Sequence, residues 1–266
     1  MRIKLTLKST QQNVVVPINY QYPLSAAIYK ILNIAEPQFA ELLHSKGYPT
    51  QHNRRFKFFT FSKLFFKFPP NIKENVFVVK KNEAPQLLIS SPLDESFVQN
   101  FVTGIFISQE FPIGLKNVCH TTFMVETVET LPEPDYGTEV KCSALAPISV
   151  SAKSENKQPD YLRALDNRLS NAIRDNLIWK YKTLNETEPK DNDLTFEIDK
   201  DYVIKRGGEE RVSKLITIKE AEPEETKIKA FVAPFKLTGS KDLIKLAYDC
   251  GIGEKNSLGF GMFEVT

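Results

Sequence analysis

The apolar positions of this chain change period in a repeating order. RIKLTLKS (2–9) alternates apolar and polar residues, the period of a half-buried strand. After a polar loop, LSAAIYKILNIAEPQFAELLHSKG (24–47) spaces its apolar residues three and four apart, which predicts a helix broken or kinked at Pro37. FKFFTFSKLFF and ENVFVVKK are aromatic and β-branched runs separated by KFPPNIK; they predict strand, turn, strand. LLISSPLDESFVQNFVTGIFIS predicts a short strand and a helix started by Ser91 or Asp94, and KNVCHTTFMVETVETL a closing strand. The order β-α-β-β-α-β is that of a ferredoxin-like domain.

Beyond the acidic LPEPDYG the order recurs. VKCSALAPISVSA predicts a strand, and DYLRALDNRLSNAIRDNLIWKYKTL an amphipathic helix with Leu162, Leu165, Leu169, Ile173 and Leu177 on one face. LTFEIDKDYVIKR and RVSKLITIK predict a hairpin around Gly207 and Gly208, and KIKAFVAPFKLTG one further strand. SKDLIKLAYDCG predicts a helix opened by a Ser240 cap, and FGMFEV a last strand. The expected fold class is α+β, two RRM-like, ferredoxin-like domains in tandem, residues 1–130 and 139–266. The repetition is one of element order, without sequence self-similarity.

Composition narrows the function. The 266 residues suffice for two domains at about 150 residues each. With 35 Lys and Arg against 33 Asp and Glu, the formal charge is only +2, so a basic surface must come from clustering. One cluster is HNRRFKFFTFSKLFFKF (52–68), which joins His52, Arg54, Arg55, Lys57, Lys63 and Lys67 without an acid. No run approaches the ~18 apolar residues of a membrane span, and MRIKLTLKST alternates instead of building a signal-peptide core. The expected compartment is the cytoplasm. Cys119, Cys142 and Cys250 are odd in number, widely spaced and without a C-x-x-C pair, which argues for buried thiols, not disulfides or zinc.

Gly251, Gly253, Gly259 and Gly261 crowd into GIGEKNSLGFG, between the last predicted helix and the last strand. Neither a dinucleotide fingerprint nor a P-loop fits this spacing and element order. Such a segment can expose successive N–H groups and let a phosphodiester approach closely, with Lys255 as an added cation; the alternative is a tight, glycine-capped connection. On the first reading, a bulky residue at Gly259 or Gly261 should impair binding of such a phosphodiester ligand more than folding.

GIGEKNSLGFGMFEV resembles the C-terminal glycine-rich signature of the repeat-associated mysterious protein superfamily. Together with RIKLTLKS, YPLSAAIYKIL, LLHSKG, KFFTFSKLF and ALAPISV in the same order, it resembles the sixth Cas family, CRISPR repeat endoribonucleases. The resemblance implies tandem ferredoxin-like domains and metal-independent cleavage without a cofactor. In that reaction the RNA 2′-hydroxyl attacks the adjacent phosphate and leaves 2′,3′-cyclic phosphate and 5′-hydroxyl ends. It also implies a catalytic Tyr29, His44 and Lys57. Histidine, with an ordinary pKa of about 6.5, suits proton transfer near neutrality; tyrosine, near 10, suits donation or positioning. His52 is the rival histidine, while His120 within a predicted strand reads as structural.

The implied RNA contacts are Arg54, Arg55, Ser149, Ser151, Lys153, Lys205, Arg206, Gly251, Gly253, Lys255, Gly259 and Gly261. Most phenylalanines of the basic cluster are expected in the core. The implied partners are CRISPR repeat RNA, with CRISPR effector subunits and a second copy of the chain as further options, and no membrane. The alternative is a non-catalytic RNA-binding subunit of an effector complex, which would have no use for the Tyr29, His44, Lys57 set.

Overall fold

Alternation in RIKLTLKS buries Ile3, Leu5 and Leu7 on one face of β1 (Arg2–Ser9), a strand paired on both sides in the first sheet. The computed structural model describes residues 1–9, 11, 14–50, 55–80, 83–115, 119–152, 159–220 and 222–266. After β1 comes β2 (Val14–Pro17), where the sequence predicted only a loop; four residues carry too short a period to register. The next segment is helical and broken at Pro37 as expected, into α1 (Gln21–Ala35) and α2 (Pro37–Glu41). Pro37 opens α2, where a missing N–H costs nothing, and the Glu36 carboxylate accepts from the Gln38 N–H. A π-helical turn, Leu42–Lys46, carries His44 and ends at Gly47.

FKFFTFSKLFF does not form the single strand expected. β3 (Tyr48–Pro49) pairs with β4 (Arg55–Phe56), Phe58 turns into the left-handed region at φ +48°, and only β5 (Thr60–Phe61) joins the main sheet. β6 (Asn71–Lys73) and β7 (Val76–Val79) form a hairpin that pairs with β2 in a separate three-stranded sheet. β8 (Gln86–Ser90) then leads through a π-helical turn, Asp94–Gln99, into α3 (Asn100–Ile107), and β9 (Glu110–Leu115) and β10 (Cys119–Leu131) complete the half. The sheet order is β5-β8-β1-β10-β9. Its first four strands have the ferredoxin-like arrangement, and β9, unforeseen in the sequence, adds an edge. Leu24, Ile28 and Ile31 of α1 and Phe97 and Phe101 share its core with the sheet.

The second half contains β11 (Glu139–Ala144), the short β12 (Ser151–Ala152) and β13 (Asp160–Tyr161), then α4 (Leu169–Asn185). The helix starts nine residues later than expected: Leu162 is buried ahead of it, and Leu165 is 49% exposed. The predicted hairpin around Gly207 and Gly208 is absent. β14 (Leu194–Ile198) is followed by α5 (Lys200–Lys205), because the Asp199 carboxylate caps it by accepting from the Tyr202 N–H. The Gly207 and Gly208 N–H groups close that helix on Ile204 O and Val203 O. α6 (Glu209–Val212) leads to β15 (Ser213–Ile218), which pairs with β16 (Thr226–Phe231), not with β14.

KIKAFVAPFKLTG is likewise two strands, since β17 (Phe235–Gly239) leaves the β15-β16 pair for the main sheet after Pro234. α7 (Lys241–Cys250) and β18 (Phe263–Val265) finish the chain; Ser240 stands at the cap of α7, but its side chain makes no capping bond. The main sheet, β14-β17-β11-β18, again has ferredoxin-like order, with Ile173 and Leu177 of α4 and Leu243 and Ala247 of α7 in its core. Both halves are therefore ferredoxin-like.

Arg2 ties the halves together. Its buried guanidinium donates to Phe263 O (2.9 Å) and Tyr248 O (2.8 Å) and lies 3.6 Å from the centre of the Tyr248 ring. Among the described residues no helix is long and apolar enough to cross a membrane. Cys142 and Cys250 are buried and unpaired, as expected, and Cys119 is half-buried and unpaired.

Candidate active site

α1 presents Ser25 and Tyr29, four residues apart, on one face toward the glycine-rich segment. The buried Ser25 hydroxyl donates to Ser257 O (2.7 Å). The half-buried Tyr29 has an enclosed hydroxyl with no hydrogen-bond partner. Burial pushes this phenol well above its ordinary pKa; the Ser257 side chain offsets a little of that but stands outside hydrogen-bond geometry. The proton therefore stays on Tyr29 at neutral pH. The exposed His44 ring stands edge-on to Tyr29, centroids 5.1 Å apart and planes at 89°.

Lys57, aimed by the turn before Phe58, places Nζ 5.2 Å from the Tyr29 ring centre and donates to the His44 backbone oxygen (2.7 Å). Burial lowers its pKa. A phenol, an imidazole and an ammonium expected together from the sequence thus meet at one point.

Lys57 also lines a cleft of about 320 Å³ between the two halves. The lining holds four cations, Arg55, Lys57, Lys180 and Lys255, against one carboxylate, Glu254. A chain of formal charge +2 has concentrated its positive charge where an anionic ligand would enter. Cys250 borders the cleft too, but burial pushes its thiol up to about 11, so it is protonated and no nucleophile.

The glycine-rich segment forms the cleft's other wall, and its glycines have a reason the sequence did not reveal. Lys180, on α4, donates to Gly251 O (2.7 Å), Gly253 O (3.0 Å) and Asn256 Oδ1 (2.8 Å), the full donor capacity of an ammonium. The Asn256 amide returns two bonds, to Ile252 O and Phe260 O, each 3.0 Å. Gly251, Gly253, Gly259 and Gly261 are all buried, and the N–H groups of Gly251, Gly259 and Gly261 already bond protein carbonyls. At Gly259 a Cβ would overlap the Phe61 ring, and at Gly261 the Ile252 oxygen. Close packing against the protein itself, more than an open backbone, requires glycine here. What the segment offers a ligand is its rim, with exposed Lys255 beside Ser257.

The other expected contacts separate. Arg55 is in the cleft and donates to Ser45 O (2.9 Å). Ser149 is fully buried, its hydroxyl on Lys229 O (3.1 Å) and its carbonyl accepting the Glu254 N–H, so it supports the loop from beneath and is closed to solvent. The half-buried Ser151 donates to Glu254 Oε2 (2.9 Å). Lys205 and Arg206 are exposed at the end of α5, not on a hairpin tip, and line no part of the cleft. His52, Arg54 and Lys153 lie outside the described residues. Phe58, Phe59 and Phe61 are core, as expected. Sequence reasoning missed Asn176 and Lys180, because it took α4 for its apolar face alone. Among the described residues no three His, Cys, Asp or Glu side chains are grouped to hold a metal ion.

Known proteins resemble the chain along its whole length. Residues 15–129 match the family model described as CRISPR-associated protein Cas6, N-terminal, and residues 130–265 match CRISPR associated protein Cas6, C-terminal. The chain is 33% identical over 271 residues to CRISPR-associated endoribonuclease Cas6 1 of Methanocaldococcus jannaschii, covering 98% of this chain and 91% of that one. A solved structure of a Cas6-related gene product from Pyrococcus furiosus matches with a TM-score of 0.79 at 27% identity, over 100% of this chain and 98% of that one. A structure described as a RAMP protein binding different RNA substrates matches with the same TM-score at 25% identity, over 100% and 99%. The chain belongs to the Cas6 family of CRISPR-associated proteins.

Proposed function

We propose that this chain is the endoribonuclease that cuts CRISPR repeat RNA by attack of a 2′-hydroxyl on the adjacent phosphate. The observation that carries the reading is the meeting of Tyr29, His44 and Lys57, the last of which also lines a cationic cleft. As the 2′-oxygen bonds to phosphorus, its proton must leave; as the bond to the 5′-oxygen breaks, that oxygen must gain one, and charge builds on the phosphorane between. His44 makes one of these two proton transfers and water the other. Lys57 stands beside the phosphorane, where its charge counts most in the transition state. Tyr29, which keeps its proton, donates its unpartnered hydroxyl to an RNA oxygen and orients it. Residues 1–130 then supply the chemistry, while residues 139–266 hold the RNA through the Lys255 rim.

Proton transfers and a fixed ammonium meet the needs of this reaction without a metal. A repeat RNA mixed with the protein in EDTA is expected to be cut at one position, with 2′,3′-cyclic phosphate and 5′-hydroxyl ends. Loss of cutting in EDTA while binding persists would make the mechanism wrong. Binding without cutting, with or without divalent ions, would favour a second reading, an RNA-binding subunit working with effector-complex partners. That reading draws on the resemblance to the RAMP protein described as binding RNA.

A further inference from the structure

α4 contributes a wall of the cleft that the mechanism above leaves without a role. Asn176 and Lys180 stand one turn apart on the same face of α4, and both line the cleft. Both are deeply buried, at 6% and 2% exposure. They differ in how their polar atoms are used. Lys180 spends all three donors on the glycine-rich segment. Asn176 Oδ1 is enclosed and accepts from nothing.

A buried acceptor with no donor destabilises the fold that holds it. Such atoms call for a reason, and one reason is a ligand that arrives later. Tyr29 Oη, across the same site, is orphaned in the same way. The lining of the cleft thus combines four cations with one residue, Asn176, that carries an unpartnered polar atom, and Tyr29 lies beside the cleft against Lys57. Its 320 Å³ lies at the low end of ligand-pocket volumes, about 300–1,000 Å³, which suits one splayed nucleotide and not a duplex. A nucleotide carries both features that this lining lacks, an anionic phosphate for the cations and neutral O–H or N–H donors for the carboxamide.

We infer that Asn176 is an RNA-contacting residue, whose side-chain oxygen accepts a hydrogen bond from a ribose 2′-hydroxyl or base N–H of a nucleotide seated in the cleft. The inference rests on the RNA reading of the preceding section. Lys180 holds the opposite rim in place, so that Lys255 meets the phosphate of the same nucleotide. The site discriminates by the donor it requires, since a nucleotide without one would leave Asn176 Oδ1 buried and unpaired in the complex as well.

This role and a packing role predict opposite signs. Asn176→Leu keeps the branched outline of the side chain and removes the orphaned acceptor, so the unfolding temperature should stay the same or rise. Affinity for repeat RNA, measured with the attacking 2′-hydroxyl replaced by hydrogen to prevent cutting, should fall about tenfold, the worth of one hydrogen bond. A scan of single 2′-deoxy and base-analogue substitutions then identifies the donor: at one position the loss seen with the wild type should vanish in Asn176→Leu. A 2′-deoxy hit assigns the ribose, and a base-analogue hit the base edge.

A lower unfolding temperature with unchanged affinity would make Asn176 a packing residue and overturn the inference, as would additive losses at every scanned position. Asn176→Ala, which trims the side chain without reshaping it, repeats the test should leucine not fit; failure of both variants to fold would equally place Asn176 in the fold alone. RNA bound and cut by the wild type but bound equally well by Asn176→Leu overturns this inference only. A wild-type chain that binds no repeat RNA overturns the functional reading, and this inference with it.

Discussion

His44→Ala is expected to slow single-turnover cleavage at saturating protein by about 10² to 10⁴ fold, the usual worth of a general acid or base, and to leave RNA affinity within about twofold. The geometry makes this substitution unusually clean. His44 is exposed, so its loss leaves no cavity in the core. Lys57 is anchored on the His44 backbone oxygen, not on the imidazole, so the ammonium keeps its place over Tyr29 when the ring is removed. A fall in rate therefore reports the missing proton carrier and not a displaced cation.

Lys57→Ala should resemble His44→Ala, with a large effect on rate and a smaller one on binding, because a charge beside the phosphorane acts mainly in the transition state. His52→Ala should instead shift affinity modestly, and less at higher salt, as a phosphate contact does. Rates and dissociation constants for the three variants separate these roles. Wild-type cleavage by His44→Ala together with a dead His52→Ala would remove the catalytic assignment and move the active site to the basic stretch around His52.

Most of the architecture could be read from the sequence where an element carried a full period of its own. β1, the break at Pro37, the helix ending in α3, β10 and α7 all did, whereas ENVFVVKK, read as an inner strand, belongs to a separate sheet. Reading failed where local backbone chemistry overrode the period. Phe58 adopts a left-handed conformation inside an apolar run that looks like uninterrupted strand. Asp199 caps a short helix in LTFEIDKDYVIKR, whose composition suits a strand equally well. Pro234 divides one apparent strand between two sheets.

The candidate site divides along the same line. Tyr29, His44 and Lys57 stood out through resemblance, as chemical types at matching positions. Asn176 and Lys180 gave no such sign, since a polar residue on an amphipathic helix ordinarily faces water, whereas the fold buries both and ties Lys180 to the glycine-rich segment. Ser149 shows the converse placement. It lies in a segment that resembles an RNA contact, yet the chain folds the loop over it.

Gly261→Val is expected to cost stability first, reversing the sequence-based expectation that RNA binding would suffer more than folding. Gly261 has φ +77°, a region that a β-branched residue enters only with strain, about 1–2 kcal/mol for an ordinary side chain and more for valine. Its Cβ would also overlap the Ile252 oxygen, and that atom has little freedom to retreat. The Ile252 oxygen accepts from Asn256 Nδ2, the Ile252 N–H donates to Gly261 O, and the Gly261 N–H donates to Pro147 O. Relieving the overlap breaks part of this set and loosens the grip of Lys180 through Asn256. A combined loss of about 4 kcal/mol is expected, large against a typical total of about 5–15 kcal/mol. It should appear as a much lower denaturant midpoint or as insoluble protein.

Gly208 provides the control, with φ +100° and ψ 178° but nothing within 4 Å of an added Cβ, so Gly208→Ala should cost only the backbone strain, about 1–3 kcal/mol. Denaturant titrations of both variants beside the wild type test the account. A soluble Gly261→Val with a wild-type midpoint and weakened RNA binding would restore the open-backbone role and refute the packing one.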